Sequence, residues 1–568
     1  MMRLYSVLRL EFEKVKHFFA TQPEKRIYIV FALFMVLVYG PYLLKGGLVY
    51  DDWSVARLGQ GCPGLVQSYV CYWPNYAHRP LAPIYYSLTS NLFHDWAAGY
   101  IFATIAMWAL GLLLAYRVLK RAFGLRFAVP FLFIAATPSL SSSIIFSPGM
   151  QSVGAVSFAL WAGSLVLLDH YLVARHRKHL LLSFGLMLAS LLFYESSLPL
   201  FLLSLAWPYI QRGGVRTDKH YWKGYLKKYV LPVVVLVLAV LLYQKVFIVH
   251  LQASLASLSK FQIIGSHMDI RDFATRVVVN DIYVFTLGLA NFCWQGLRHL
   301  KHYSFVTLFD ALLAVAALGV AVWWHRRPHQ PAEQRTLSPY YLIPVALGVG
   351  AMYFVSLVAP TFVGYSNRGM VAGSIVVALA GAWLWGQVAG KRRLYAGLCI
   401  VLFGAYLATF IVQRNNFIES NHVKQQIQAD ILPRLGQFKN QKVFILASLP
   451  TYLGSNFNNE TVFSDEVLDW AHFLYLKTGN NDNIRGISIS QERLARGEFG
   501  IKNGQLRAIG DFAPLNTLWF YDFQKHSFTK VNGEQQLRAI LKKAPIANSN
   551  TPVDGQFRNK LREWIASY

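Results

Sequence analysis

The feature that most constrains this chain is the recurrence of long apolar runs. "IYIVFALFMVLVYGPYLL" and "AGYIFATIAMWALGLLLAY" carry no charge, and about 18 such residues are enough to span the hydrocarbon of a bilayer. Charged residues make up only 14% of the chain, against about 25% in soluble domains. The runs are too long, and alternate too little, for an outer-membrane barrel. They predict a polytopic α-helical membrane protein of about eleven spans, near 27–45, 98–117, 127–146, 150–173, 179–194, 196–210, 229–249, 305–325, 339–358, 370–390 and 394–414. The fifth and sixth are short enough to form one broken hairpin. About 26 residues precede the first run and no A-x-A site follows it, so it reads as an uncleaved helix.

Charge orients these spans. The formal net charge of +26 does not point to nucleic acid, because Lys and Arg fall in clusters between apolar runs. Basic residues mark the N-terminus (Arg3, Arg9, Lys14, Lys16, Lys25, Arg26) and every second loop, as at Lys120 and Arg121, Arg175 to Lys178, Arg212 to Lys228, Arg326 and Arg327, and Lys391 to Arg393. The positive-inside rule makes these loops cytoplasmic. The outer side then receives the loops 46–97 and 251–304 and the tail 415–568, with membrane modules at 27–250 and 305–414. Residues 1–26 carry Leu4, Leu8, Val15 and Phe19 at helical spacing, which fits an amphipathic helix on the inner leaflet or one packed on the cytoplasmic loops. The tail reads as a small α/β domain. It holds an amphipathic helix in "NHVKQQIQADILPRLGQF" and strands at "KVFILASL" and "TLWFYDF". No internal repeat is evident.

The first outer loop carries the candidate chemistry. "LVYDDWSV" sets Asp51 and Asp52 just beyond the first span. On the outer side they are solvated and escape the cost of an ion in hydrocarbon. Such acids fit a capped helix start as well as a functional site. Further on, "CYWPNYAHRPLAPIYYSL" is rich in rings, including Tyr72, Trp73, Tyr76, Tyr85 and Tyr86. Interfacial aromatics commonly anchor a protein at the membrane surface. His78 and Arg79 precede Pro80 and an apolar helical run, which would put them at a helix N-terminus suited to a phosphate. A snorkelling Arg is the alternative. An oxidising outer compartment predicts a disulfide between Cys62 and Cys71. Cys293 and Cys399 are read as unpaired, and the four cysteines form no zinc signature.

The combination resembles the GT-C glycosyltransferases, integral membrane enzymes that use lipid-phosphate sugars. The shared features are a cytoplasmic N-terminus, one span, an outer loop opening on an acidic pair and continuing into helices along the membrane, many further spans and an outer C-terminal domain. "YDDW", "HRPL" and the later "YSNRGM" are similar to the bacterial O-antigen glucosyltransferases, and the arabinosyltransferases share the plan. The resemblance implies a polyprenyl-phosphate sugar donor, a glycan, glycolipid or protein acceptor, and a place in the bacterial inner membrane with the C-terminal domain in the periplasm. It makes Asp51 the catalytic base with Asp52 as its partner, although "DD" stands where many members have "DE". Arg79 with His78, and Arg368 in "YSNRGM", become the candidates for the donor phosphate.

Other polar residues are weaker candidates. Trp53, Tyr72, Trp73 and Glu195 in "FYESSLP" are candidate substrate contacts, although Glu195 equally suits a bond to an unwound turn. His267 and Asp269 either line a donor groove, bind a metal or are simply exposed, and Trp294 either stacks on sugar or lies at the interface. Asp465, Glu466 and Asp469 read as the solvated face of a helix. No cofactor and no nucleic acid are expected, and a divalent metal is left open. The rival functions are a lipid-linked sugar transporter, an O-antigen polymerase or ligase, and a non-enzymatic scaffold.

Overall fold

A computed structural model describes residues 23–49, 52–211, 219–244, 283–300, 310–313, 315, 339–355, 371–388, 393–435, 438, 441–449, 473, 483–489, 494, 499–502, 504–508 and 511–544. The protein is mostly helical and ends in a strand-containing domain. Among the described residues, five helices are long and apolar enough to cross a membrane: Glu24–Lys45, Ala97–Phe123, Ser152–Ala174, Tyr221–Leu242 and Gly397–Arg434. Shorter apolar helices accompany them. The predicted N-terminal amphipathic helix and most of the 305–325 span lie outside the described residues.

Helix α1 (Pro23–Lys45) leads to three short helices in the acidic loop, α2 (Asp52–Gly61), α3 (Leu65–Tyr76) and α4 (Ala82–Phe93). Then come α5 (Ala97–Phe123), α6 (Leu125–Ala135), α7 (Ser152–Ala174), α8 (Arg177–Phe193), α9 (Leu200–Gln211) and α10 (Leu231–Leu242). Later helices are α11 (Leu289–Leu300), α12 (Leu342–Val355), α13 (Val371–Val388) and α14 (Arg393–Leu435). The long helix α7 packs along both α5 and α8, α13 lies against α6, and α14 against α1 and α11. One buried apolar cluster runs through all of these layers.

Two helices depart from the hydropathy reading. The predicted span 127–146 is broken. α6 stops at Ala135, and Thr137, Pro138 and the serines that follow form single turns before Ser152. Pro138 disfavours helix at Thr137, and the Thr137 hydroxyl turns back to the Ile134 carbonyl. Irregular backbone at this depth is tolerated only inside protein, and residues 127–149 are all buried. The second departure is the predicted boundary at 415, which falls inside α14. That helix runs unbroken for 43 residues, or about 65 Å at 1.5 Å per residue.

A buried arginine joins α14 to α1. Pro41 lies within α1 and cannot donate to the Leu37 carbonyl one turn back. Arg414, only 1% exposed, donates to the Val38 carbonyl at 2.8 Å and reaches the Leu37 carbonyl at 3.4 Å. It also pairs with Asp310 at 3.1 Å.

The C-terminal domain has a sheet of order β2-β1-β6-β7, built from β1 (Val443–Ser448), β2 (Ile484–Ser488), β6 (Leu518–Asp522) and β7 (Ser527–Lys530). β1 is parallel to β2 and β6, and β7 is antiparallel to β6. A second, antiparallel sheet joins β3 (Phe499–Lys502), β4 (Gln505–Ala508) and β5 (Asp511–Pro514). Alternate side chains of β1 face opposite ways. Phe444 and Leu446 meet Leu506, Ala513 and the helix α15 (Glu534–Lys542). Val443, Ile445 and Ala447 meet α14 and, across the chain, Leu48, Trp53 and Ala56 of the acidic loop.

Candidate functional site at the acidic loop

Asp52 opens α2 and is fully buried. Its Oδ1 accepts the Ser147 hydroxyl at 2.6 Å and the N–H groups of Met150 and Gly149 at 2.8 and 3.1 Å. Its Oδ2 accepts the Val49 N–H at 3.1 Å. The broken segment after α6 supplies three of these donors. Gly149 suits the close approach, since a Cβ there would lie 3.0 Å from the Asp52 Cβ and press on it. This corrects the expectation of a solvated acid. Asp52 is a staple between the start of α2 and the start of α7, and buried donors need such acceptors. Asp51 lies outside the described residues.

Beside the staple stands a box of tyrosines. Tyr72, Tyr76, Tyr86 and Tyr194 pack with Met150 in one cluster. The Tyr86 hydroxyl donates to the Met150 carbonyl at 2.8 Å, so the box and the staple share Met150. Arg79 forms one wall. Its Nε and Nη2 donate to the two oxygens of Glu195 at 2.8 and 2.5 Å. Its guanidinium lies over the Tyr194 ring, 4.1 Å from the centroid, in a cation–π contact. Glu195 opens the short turn between α8 and α9. Two residues predicted to contact substrate separately are thus partners, and Arg79 does not snorkel.

Electrostatics follow from this pairing. Burial works against the Glu195 carboxylate, but the Arg79 charge and hydrogen bonds outweigh it and hold the group at about 2. Burial, then the Arg79 charge, pushes His78 down to about 4 despite Glu195. Burial beside Arg79 therefore favours the neutral imidazole of His78. The turn carrying it is fixed by Tyr243 and Gln244, which donate to the Ala77 and His78 carbonyls at 3.0 and 3.1 Å. α4 begins at Ala82, with Pro83 rather than Pro80 in its first turn. Arg79 and His78 thus sit in the preceding turn and not at the helix N-terminus.

Cys62 and Cys71 are joined in a disulfide, with Cα atoms 6.6 Å apart. Ser68 donates to the Cys62 carbonyl at 2.5 Å, and Asn91 donates to Ser68 at 2.8 Å. The end of α2 is thereby tied to α3 and α4. Two rings expected to contact substrate are built into the fold instead. Tyr72 is fully buried and donates to the Val55 carbonyl at 2.5 Å. Trp53, 5% exposed, meets Phe473 edge-on at 5.2 Å in the core shared with the C-terminal domain. Trp73 is half-buried, its ring 5.5 Å from that of Tyr69. Trp294 is exposed on α11. Arg368, His267, Asp269 and the acids at 465, 466 and 469 lie outside the described residues. Cys293 and Cys399 are free. Among the described residues, no three His, Cys, Asp or Glu side chains are grouped to hold a metal.

Sequence reading missed the partners of the acids. Ser147 and Gly149 fall in the three-residue gap between the predicted spans 127–146 and 150–173, and Met150 opens the second of them, so they read as a plain connection. The serine-rich "TPSLSSSIIFSPGM", with a proline near each end, is the signal that marks it as a break. The lysine of α14 that reaches the loop, Lys424, falls in a segment that reads as an ordinary amphipathic helix.

No family model and no curated protein matches the chain. Two solved structures are similar to it in arrangement. ArnT from Cupriavidus metallidurans in the apo state is 15% identical, with a TM-score of 0.37, covering 83% of this chain and 86% of that one. ArnT from the same organism bound to undecaprenyl phosphate is 13% identical, with a TM-score of 0.36, covering 84% of this chain and 95% of that one.

Proposed function

We propose that this protein is a GT-C-type glycosyltransferase of the bacterial inner membrane. It moves a monosaccharide from a polyprenyl-phosphate donor to a hydroxyl of a cell-surface glycan, glycolipid or protein, on the outer face. The observation that carries the reading is the commitment of Asp52 to the fold. Four hydrogen bonds among the described residues fix the start of α2, and the proposal gives the base role to the adjacent Asp51.

In a single displacement, Asp51 takes the proton of the acceptor hydroxyl as its oxygen attacks the anomeric carbon. The bond from that carbon to the phosphate oxygen breaks, and the polyprenyl phosphate leaves as an anion. The sugar inverts. A cation stabilises the charge growing on the leaving group, a role assigned to Arg368 or to Arg79 once its fork exchanges Glu195 for phosphate oxygens.

The broken segment between α6 and α7 favours a second reading, a lipid-linked sugar transporter, since transporters build sites from interrupted helices. One experiment separates the two. Purified protein is given undecaprenyl-phosphate hexoses and pentoses with a panel of acceptors, as wild type and as Asp51→Asn. Transfer by wild type that falls at least about a hundredfold in the variant supports the base. Equal transfer by both removes it. Movement of the lipid-linked sugar across vesicles without any transfer favours the transporter.

A further inference from the structure

Residues 212–228 hold six Lys and Arg against one acid, Asp218. The chain here forms a short helix, Lys219–Tyr225, and a π-helical turn, Leu226–Val230, that runs into α10. Its two faces differ. Tyr221, Tyr225 and Tyr229 make a ladder of rings with centroids 5.9 and 5.4 Å apart. Tyr225 and Tyr229 are buried, and the Tyr225 hydroxyl donates to the Leu205 carbonyl of α9. Trp222 and Leu226 are exposed, as are Lys223, Lys227 and Lys228. The Trp222 ring stacks on Tyr209 of α9, 5.8 Å away.

Lys228 is held in place. Its ammonium lies 4.8 Å from the ring centroid of Tyr171 on α7 and 5.8 Å from that of Tyr229, in cation–π contact. Among the described residues, none of the three lysines pairs with a carboxylate. Tyr221 opens one of the helices long and apolar enough to cross a membrane, Tyr221–Leu242. These side chains therefore lie at its end, where Trp and Tyr favour the headgroup level. The charge pattern predicts the inner leaflet, whose surface is anionic. The lysines call for an anion, and Trp222 and Leu226 beside them call for hydrocarbon. An anionic lipid supplies both at once, whereas a free phosphate supplies only the first.

We propose that Lys223, Lys227 and Lys228, with Trp222, bind the headgroup of an anionic glycerophospholipid. The lysines donate to its phosphodiester oxygens, and its acyl chains lie along Trp222 and Leu226. This lipid is distinct from a sugar donor at the acidic loop. Tyr171 lies 19 residues beyond Ser152 on α7, about 28.5 Å at 1.5 Å per residue, and the Asp52 staple stands at the Ser152 end. The inference does not depend on the transfer reading.

The test titrates the full chain in neutral detergent with dioleoylphosphatidylglycerol and, in parallel, dioleoylphosphatidylcholine, counting bound lipid by native mass spectrometry. Wild type should take up the first phosphatidylglycerol at a concentration about tenfold or more below phosphatidylcholine. Each lysine at an anionic surface contributes about fivefold, so Lys227→Gln with Lys228→Gln should erase that preference, and the paired Arg variants should keep it. Should the paired Gln variant fail to fold, Lys228→Gln alone decides, with an expected loss of about fivefold. Arg177→Gln with Lys178→Gln removes equal charge from another exposed basic turn and should leave the preference within about twofold. Arg79→Gln should leave it unchanged, and inorganic phosphate should not displace the lipid. No preference in wild type, or a preference that survives the Lys227 and Lys228 substitutions, overturns the inference. So does an equal loss in the Arg177 and Lys178 variant, which would mean general attraction to a basic protein. Loss in Arg79→Gln would put the lipid at the acidic loop, and displacement by inorganic phosphate would make the ligand a free anion. Either result also overturns it.

Discussion

Two carboxylates near the candidate site are held in opposite ways. The donors described on Asp52 are neutral: three backbone N–H groups and a serine hydroxyl, on a side chain with no exposed surface. Glu195 instead meets a full charge, the paired fork of Arg79, and its side chain keeps 31% of its surface exposed. Backbone donors are fixed in number and direction by the fold, so Asp52 works as a rigid joint between α2 and α7. A guanidinium on a flexible stem can release a carboxylate and accept another anion. The contrast makes Asp52 a fixed joint, and the proposed exchange of anions falls to the Arg79–Glu195 pair.

Removing the rigid joint should have the largest effect. Asp52→Ala strands four buried donors, and the expected loss is about 3–5 kcal/mol of stability, with transfer falling alongside it. Asp52→Asn keeps an acceptor for the Ser147 side but turns an NH2 toward the Val49 N–H, so it should fall between wild type and Ala. Thermal melting in detergent checks both. If Asp52→Ala melted with wild type, the joint would carry no load and the comparison would collapse.

The ion pair comes next. Glu195→Gln and Arg79→Gln should each cost about 2–3 kcal/mol, and the double variant should cost less than their sum by about 1–2 kcal/mol. Full additivity would mean that the fork and the carboxylate do not depend on each other. In a binding assay with undecaprenyl phosphate, Glu195→Gln should tighten the lipid and Arg79→Gln should weaken it.

Acidity separates the regions further. Glu195 sits at about 2 in the fold and near about 4.3 when unfolded. The folded value is the lower one. Its stabilisation is therefore complete above about 4.3 and is lost as pH falls toward the folded value. The stability gap between wild type and Glu195→Gln should close over that window. His78 adds a slope at higher pH. The unfolded chain takes up its proton near about 6.5, whereas the folded imidazole waits until about 4. Stability should fall between those values by up to about 1.4 kcal/mol per pH unit, and His78→Gln should flatten that part of the curve.

How far these features were legible depends on the range of the interaction. The membrane class and several spans follow from hydropathy, a local property, and α1, α5 and α7 lie close to their predicted positions. The strands around Phe444 and Phe520 follow from short β-rich runs. The neighbours of Asp52 were not legible, because Ser147 lies 95 residues away and nothing local in "DDW" announces it. Arg79 and Glu195 each stood out as polar residues near apolar runs, but their pairing across 116 residues needed the fold. Trp53 misled for the same reason. An aromatic beside acids resembles a sugar platform until a distant domain covers it.

A third carboxylate sharpens the comparison with the smallest expected effect. Asp169 on α7 is 3% exposed. It accepts from Arg121 at 3.0 Å, from Gln211 at 2.9 Å and from Trp207 at 3.3 Å. Like Glu195 it faces an arginine, but at the far ends of α5 and α7 from the acidic loop. Like Asp52 it also has neutral donors. The Arg121 side chain is 45% exposed, so solvent screens much of its charge and the pair is worth no more than about 1 kcal/mol. Arg121→Gln should lower the melting temperature slightly, because Trp207 and Gln211 still satisfy Asp169, and should leave transfer and lipid-phosphate binding unchanged. If it instead weakened lipid-phosphate binding as Arg79→Gln does, position along the bundle would not decide which arginine handles the donor, and the exchange role of Arg79 would lose its basis.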